Sequence, residues 1–428
     1  MENFLEFFSF SDPSIRSVVL GSILLSASSA IVGSFTFLKK KALVGDAIAH
    51  AVLPGICLAF ILSGSKNPLF LIPGALFTGW LSLIIIDKIS NNSKIKQDTS
   101  IALILAVFFG FGILLLTMIQ KGGNSSQTGL DQFLFGKAAS LVGNDLAVFA
   151  VIALVLILAV FFLFKEFTLL AFDPQFGKVI GLPVKTLEFT LTSLTVLAVV
   201  VGIQSVGVVL MAAMLITPAA AARFWTNNIR VMVLLAATFG AVSGIIGAYI
   251  SYIAPSMPTG PWIVVSISTI AFISFFFAPQ KGIIFRMNIQ VQLRKKINDE
   301  NILKAFYHIG EYEESFFTPR TPEQLINKRE FESIALQKGL SRLKSQGFLK
   351  KSKEGWILTE EGKNKGRRIV KLHRLWELYL TKYMSIAPDH VHDDAETIEH
   401  IITPEIEAQL EQLLEYPEKD PHESEIPY

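Results

Sequence analysis

Asp46 and His50 stand four residues apart in Gly45-Asp46-Ala47-Ile48-Ala49-His50-Ala51. On a helix that spacing puts both side chains on one face. A carboxylate beside an imidazole is a donor pair suited to divalent first-row metals. The pair opens a long apolar run, where ionisable groups are costly and usually line a functional path. A structural ion pair near a membrane surface is the competing reading.

A denser set lies near the C-terminus, in His392-Asp393-Asp394-Ala395-Glu396-Thr397-Ile398-Glu399-His400. His392, Glu396, Glu399 and His400 fall at i, i+4, i+7 and i+8, on one helical face. His373 and Glu377 form another i, i+4 pair upstream. Together they could bed one or two metal ions, against the alternative of a solvated acidic face. A zinc protease of the inverted kind needs His-x-x-Glu-His, and its first position here is Glu396. Cys57 is the one cysteine, which excludes an internal disulfide and a cysteine-based zinc site. It reads as a small buried hydrophobe.

The elements that must position these groups come from two different kinds of chain. Residues 1–287 carry 28 Asp, Glu, Lys and Arg; residues 288–428, half as long, carry 46. The first part is too apolar for a soluble domain and the second has soluble composition, so a junction is expected near 282–296. Crossing a bilayer takes about 20 apolar residues. Such runs lie near 15–38, 43–63, 68–87, 100–119, 145–164, 187–203, 205–222, 230–254 and 261–278. The 205–222 run contains Pro218 and could be a broken or half-length helix. Gly240, Gly244 and Gly247 have the small-residue spacing that lets helices pack closely in lipid.

Lys and Arg concentrate in alternate loops: Lys39–Lys41, Lys88 to Lys96, Lys165 to Lys185, Arg223 and Arg230, and Lys281 and Arg286. By the positive-inside rule these face the cytoplasm. Nine crossings put the N-terminus outside; eight, if 205–222 does not cross, put it inside. Either way the C-terminal part is cytoplasmic. The first twelve residues are acidic and aromatic, unlike the basic start of a cleavable signal peptide.

In the tail, 298–312 has helical periodicity, and Thr321-Pro322-Glu323 is a helix-start signal. A helix is expected over 331–346, ended by Gly347. Short strands follow at 348–351 and 356–359, then helices at 362–383, 393–401 and 404–414. Two helices and a hairpin make a winged helix-turn-helix. Its DNA-reading helix would offer Ser333, Gln337, Lys338, Ser341, Arg342 and Lys344 to bases and phosphates. A charged solvent face is the alternative, and the slight acidic excess of the tail (25 acidic against 21 basic residues) weakens a purely electrostatic case. No Gly-x-x-x-x-Gly-Lys-Ser/Thr loop occurs anywhere, so any ATP-driven activity needs a separate ATPase. The stretch around 218–229, cytoplasmic by charge, is where such a subunit would dock.

Three runs resemble the hallmarks of manganese/zinc/iron ABC permeases. They are Val44 to Gly55, Asp173-Pro174-Gln175-Phe176 continuing to Gly181-Leu182-Pro183, and Ser205 to Leu210 continuing to Thr217-Pro218-Ala219-Ala220-Ala221-Ala222-Arg223. They occur in the family's order within 14–280. The resemblance implies a paired permease (homo- or heterodimeric), a metal-binding protein outside and an ATPase inside. It also implies that Asp46 and His50 gate or hold the metal, and that Pro218, Ala219, Ala222 and Arg223 belong to the segment coupled to the ATPase. The tail resembles the diphtheria-toxin-repressor family of metal-dependent regulators, through His373-Arg374-Leu375-Trp376-Glu377, Val391 to Glu396, Glu399-His400 and the ending from Tyr416 to Pro427. That resemblance assigns His373, Glu377 and His392 to an ancillary metal site. It assigns Glu396, Glu399 and His400 to an effector site, where a carboxylate at 396 favours Mn2+ over Fe2+ or Zn2+. One departure stands out: Asn301 and Lys304 occupy positions where the family supplies a further ligand.

The expected protein is thus an all-α polytopic membrane domain of eight or nine transmembrane helices over 14–280 and a linker over 281–297. A winged helix over 298–365 and a metal-binding, dimerising helical domain over 366–428 follow. It would sit in the bacterial cytoplasmic membrane as the permease subunit of an ABC importer, itself not an enzyme. Its tail would bind DNA, or would sense cytoplasmic metal and restrain transport without DNA. A membrane-anchored metalloenzyme is the third reading, and no catalytic motif supports it.

Overall fold

The structure is a computed structural model that describes residues 2–65, 68–121, 143–254, 257–384, 386 and 402–428. The chain divides into two compact units, Met1–Phe285 and Arg286–Tyr428.

The first unit is helical throughout its described residues: α1 (Glu2–Ser9), α2 (Pro13–Leu38), α3 (Ala42–Ala51), α4 (Leu53–Ser63), α5 (Pro68–Asn92), α6 (Gln97–Lys121), α7 (Gly143–Phe162), α8 (Phe164–Phe172), α9 (Pro174–Val179), α10 (Val184–Val206), α11 (Val208–Trp225), α12 (Ile229–Ile253) and α13 (Thr259–Phe277). Seven of its helical stretches are long and apolar enough to cross a membrane. An eighth is counted if α7 and α8, bent by 69° at their junction, form one span. The run expected at 205–222 is α11, whose apolar stretch Leu210–Trp225 is shorter than the others.

Local sequence explains the helix ends. Asp12 caps α2, its carboxylate accepting from the Ser14 N–H at 2.7 Å, with Pro13 at the first position. The span over 43–63 runs as one helical stretch, Leu43–Ser63, locally distorted at Val52 between α3 and α4. There the Val52 N–H still bonds the Ile48 carbonyl and the Ile56 N–H the Val52 carbonyl, each at 3.0 Å. Pro54, just beyond, lacks the N–H that would bond the carbonyl four residues back, which belongs to His50. The small-residue stripe on α12 meets α2: a Cβ on Gly240 would lie 2.6 Å from the Ser26 carbonyl oxygen, and one on Gly244 2.9 Å from that of Ser22. Only glycine permits that backbone approach. The core runs through α3, whose Ala47, Ile48 and Ala49 are fully buried, as is Val52 just after it. Around α3 stand α5, α6, α10 and α11.

The second unit contains most of α14 (Ile283–Tyr312), then α15 (Pro322–Lys328), α16 (Ser333–Ser345), the strands β1 (Leu349–Lys351) and β2 (Trp356–Leu358), α17 (Glu360–Met384) and α18 (Pro404–Leu413). The stretch read as a linker is helical from Ile283 onward. Thr321 and Gln324 form a reciprocal capping box at α15. The strands pair antiparallel, Leu349 opposite Leu358 and Lys351 opposite Trp356, and Arg320 bridges to Trp356 from the other side. Ile302, Phe306, Leu325, Leu336, Leu340, Leu343, Trp356 and Ile369 share one core. A smaller cluster joins α17 to α18 and the chain end through Leu375, Leu410, Leu414 and Ile426. Beside it Lys371 binds Glu407 (2.7 Å) and Glu411 (2.6 Å).

Candidate metal sites and their surroundings

In the membrane unit the structure brings Asp46 and His50 together. His50 Nε2 lies 3.5 Å from Asp46 Oδ1, with His50 15% and Asp46 38% exposed at the side chain. The imidazole is wedged edge-to-face against Phe109 of α6, ring centroids 4.7 Å apart. Its Nδ1 is buried and has no hydrogen-bond partner among the described residues. An unpaired buried nitrogen costs about 1–3 kcal/mol, a cost that a bound cation or water would relieve. The pair therefore sits on α3 just before the distortion at Val52, with Asp46 as its more exposed member. Phe109 was not visible as a site residue in the sequence, because nothing in α6 marks which aromatic ring faces α3.

The expected coupling segment is split between core and surface. Pro218, Ala219 and Ala222 are buried, and the two alanines pack with Ala30, Met232 and Ala236. They set the packing of α11. Arg223 is half-buried and donates from Nη1 to the carbonyls of Thr226 (3.4 Å) and Asn227 (3.3 Å). The exposed residues of this turn are Trp225, Asn227, Asn228 and Arg230.

In the tail, His373 and Glu377 are both nearly closed to solvent, and His373 Nε2 lies 3.0 Å from Glu377 Oε1. They form the floor of a cleft of about 530 Å³ that is also lined by His308, Glu311, Arg374 and His422. Arg374 holds Glu311 through two bonds (2.9 and 2.7 Å) and lies 3.6 Å from Asp420. Burial opposes ionisation of Glu311, but hydrogen bonds from His308 and Arg374 and the Arg374 charge outweigh it and hold its carboxyl at about 2. Burial pushes the His308 imidazole below its ordinary value, against a raising contact with Glu311. His392, Glu396, Glu399 and His400 lie outside the described residues. Among the described residues no cluster of three His, Cys, Asp or Glu could hold a metal. The buried His373–Glu377 pair fits a metal as two donors of a larger set. Asn301 and Lys304 are both buried, and Asn301 Oδ1 has no hydrogen-bond partner among the described residues.

Of the six residues expected to face DNA, Ser333, Gln337, Lys338, Ser341 and Lys344 are exposed on α16. Arg342 departs from that expectation. It turns inward and binds the buried Asp299 of α14 through a fork, Nε to Oδ2 at 3.0 Å and Nη2 to Oδ1 at 2.5 Å. Helical spacing alone could not separate it from Lys338 and Lys344, since its partner lies 43 residues away. The hairpin lysines Lys350, Lys351 and Lys353, absent from the expected DNA-facing set, are all exposed; their signal is a basic run at the hairpin tip.

A polytopic helical unit with a half-buried acid–imidazole pair on one of its central helices, followed by a separate helical unit with a small hairpin, defines a multi-pass membrane protein with an appended domain. Comparison with known proteins agrees. A family model described as the ABC 3 transport family matches residues 11–278. One described as the iron dependent repressor, metal binding and dimerisation domain, matches residues 359–428. The manganese transport system membrane protein MntC of Bacillus subtilis (strain 168) is 41% identical over 376 residues, spanning 88% of this chain and 86% of that protein. The zinc transport system membrane protein TroC of Treponema pallidum (strain Nichols) is 42% identical over 278 residues, 65% of this chain and 93% of that protein. Among solved structures, PsaBC from Streptococcus pneumoniae in complex with Fab matches 65% of this chain and 97% of its own at 34% identity, with a TM-score of 0.59. The chain belongs to the ABC 3 transport family.

Proposed function

We propose that this chain is the permease subunit of an ABC importer whose substrate is a divalent transition metal, manganese or zinc before iron. The observation that carries this is the Asp46–His50 pair on α3, half-buried and 3.5 Å apart, with a buried ring nitrogen unpaired among the described residues. Carboxylate and imidazole suit such ions, and the relatives named above are manganese and zinc transport proteins. The pair holds the ion transiently: two protein donors bind weakly enough to release, where a closed four-ligand cage would retain. A separate ATPase supplies energy at the 218–229 turn, a metal-binding protein delivers the ion from outside, and a second permease subunit completes the pore. Residues 286–428 lie in the cytoplasm of a bacterial cell, on the inner side of its cytoplasmic membrane. Uptake of manganese, zinc and iron in competition tests this. Asp46→Asn and His50→Ala should each abolish uptake while the complex still assembles and hydrolyses ATP. Normal accumulation in both variants would sink the proposal.

For the tail, the exposed face of α16 with the hairpin lysines supports a metal-dependent regulator that binds DNA. A second reading, that it senses cytoplasmic metal and restrains transport in place, is favoured by the engagement of Arg342 with Asp299, which removes one of six contacts. Specific DNA binding by residues 286–428, lost at high salt, separates the two.

A further inference from the structure

The turn that leaves α11 and the turn that leaves α13 are fastened together. Lys281 Nζ donates to the carbonyls of Arg223 (3.0 Å) and Thr226 (3.3 Å). The Trp225 indole donates to Ser274 Oγ at 2.8 Å, and the rings of Phe224 and Phe275 meet edge-to-face, 5.6 Å apart. Gln280 adopts a left-handed conformation (φ 74°) and the Gly282 N–H bonds the Ala278 carbonyl at 2.9 Å, which closes the second turn. The next residue, Ile283, begins α14.

Physical chemistry accounts for the cation. The last carbonyls of α11 have no partners within the helix and carry its partial negative charge. No carboxylate occurs from residue 189 to 298, so Lys281 turns to those carbonyls. Arg223 already serves the same carbonyl of Thr226. Burial, and after it the charge of Arg223, pull the Lys281 ammonium below its ordinary value. One cation suffices to cap a helix; a second, brought against its repulsion from another element, ties two elements into one body.

We propose that Lys281 is a positioning residue for transport, holding the 223–228 turn in the shape the ATPase grips and passing the movement of that turn to α13. This rests on the reading of that turn as the ATPase dock. The complex with its ATPase, reconstituted in liposomes, tests it through the number of metal ions moved per ATP hydrolysed. Lys281→Met removes a charged donor and should lower that ratio about tenfold. Lys281→Arg, which reaches the same carbonyls, should keep it within about twofold of the parent. Ser274→Ala, which removes the acceptor of the Trp225 indole along with the hydroxyl's own bond to the Ile270 carbonyl within α13, loosens the same turn and should lower the ratio in the same direction. A parental ratio in both Lys281→Met and Ser274→Ala overturns the proposal, as does an equal loss in Lys281→Arg and Lys281→Met. Should Lys281→Met fail to accumulate, the Ser274→Ala and Lys281→Arg pair decides alone. Arg230→Glu reverses an exposed charge beside the turn and serves as the control on the dock itself. If it retains the ATPase as the parent does, the dock reading fails and the inference with it; if it sheds the ATPase while Lys281→Met keeps its ratio, the inference alone fails.

Discussion

Arg342 of α16 and Asp299 of α14 are joined by two parallel bonds, 3.0 and 2.5 Å long, with the carboxylate buried. The fork geometry suits a guanidinium and a carboxylate, and it pins α16 to α14. Arg342→Ala leaves a buried carboxylate without its partner. It should destabilise a 286–428 fragment by about 2 kcal/mol, read as a lower midpoint in urea. Lys338→Ala and Lys344→Ala, on the exposed face, should change the stability by no more than about 0.5 kcal/mol. If the fragment binds DNA, each should reduce the salt slope of binding by about one. An unchanged midpoint in Arg342→Ala would show that the fork does not hold the unit together.

The contrast between those residues marks how far sequence alone reaches. Span positions followed from apolar length, because a bilayer sets that length, and α2, α6, α12 and α13 lie close to the expected limits. The Asp46–His50 contact followed from i, i+4 spacing on a helix. The local distortion at Val52 did not, although Pro54 just beyond it lacks an N–H. Tertiary partners were illegible: neither Phe109 against His50 nor Asp299 under Arg342 leaves a periodic trace. Burial of Pro218, Ala219 and Ala222 was likewise hidden, because a run of alanines reads the same on a docking face as in a tightly packed seam.

Acid should loosen the tail in a defined window. The Glu311 carboxyl is held at about 2 in the folded unit, below its ordinary 4.5. A group depressed in this way contributes stability that is present above the unfolded value and is lost as pH falls through 4.5 toward 2. His308, depressed by burial below 6.5, adds a loss that begins as pH falls below 6.5, because the unfolded chain then binds the proton more readily. Urea midpoints of the 286–428 fragment measured from pH 7 to 3 should fall, and Glu311→Gln should flatten the part below 4.5. A parental slope in that variant would remove Glu311 from the account.

His373 and Glu377 form a buried pair that presents two donors to the cleft floor. If they complete a metal site with residues of the 392–400 segment, His373→Ala should weaken manganese binding to the tail about 10- to 100-fold. Binding should also weaken in the parent as pH drops toward 5, because imidazole must be neutral to ligate. Calorimetry with manganese at pH 7 and pH 5 reads both. Equal affinity in His373→Ala and the parent would take the pair out of the site.

If residues 286–428 stay joined to the membrane unit on its cytoplasmic side, as proposed, they would meet metal leaving the pore, and restraint of transport can be tested beside DNA binding. Metal on the tail can alter transport only through different affinity for the transporter's two conformations, and the coupling is reciprocal. A coupling of about 1–3 kcal/mol shifts the balance between the two conformations roughly 5- to 150-fold, and that shift is the upper bound on how far transport-linked ATP hydrolysis slows when the restrained state does not turn over. We therefore expect manganese on the cytoplasmic side to inhibit ATP hydrolysis by the reconstituted complex, and deletion of residues 288–428 to abolish that inhibition without lowering the uninhibited rate. The opposite course is release: a cut near 281–296 would free the tail to act on genes. Immunoblots of growing cells against the C-terminus discriminate. An uncut chain together with manganese-sensitive hydrolysis supports restraint, whereas a stable soluble fragment, or hydrolysis that ignores manganese in the intact complex, rules it out.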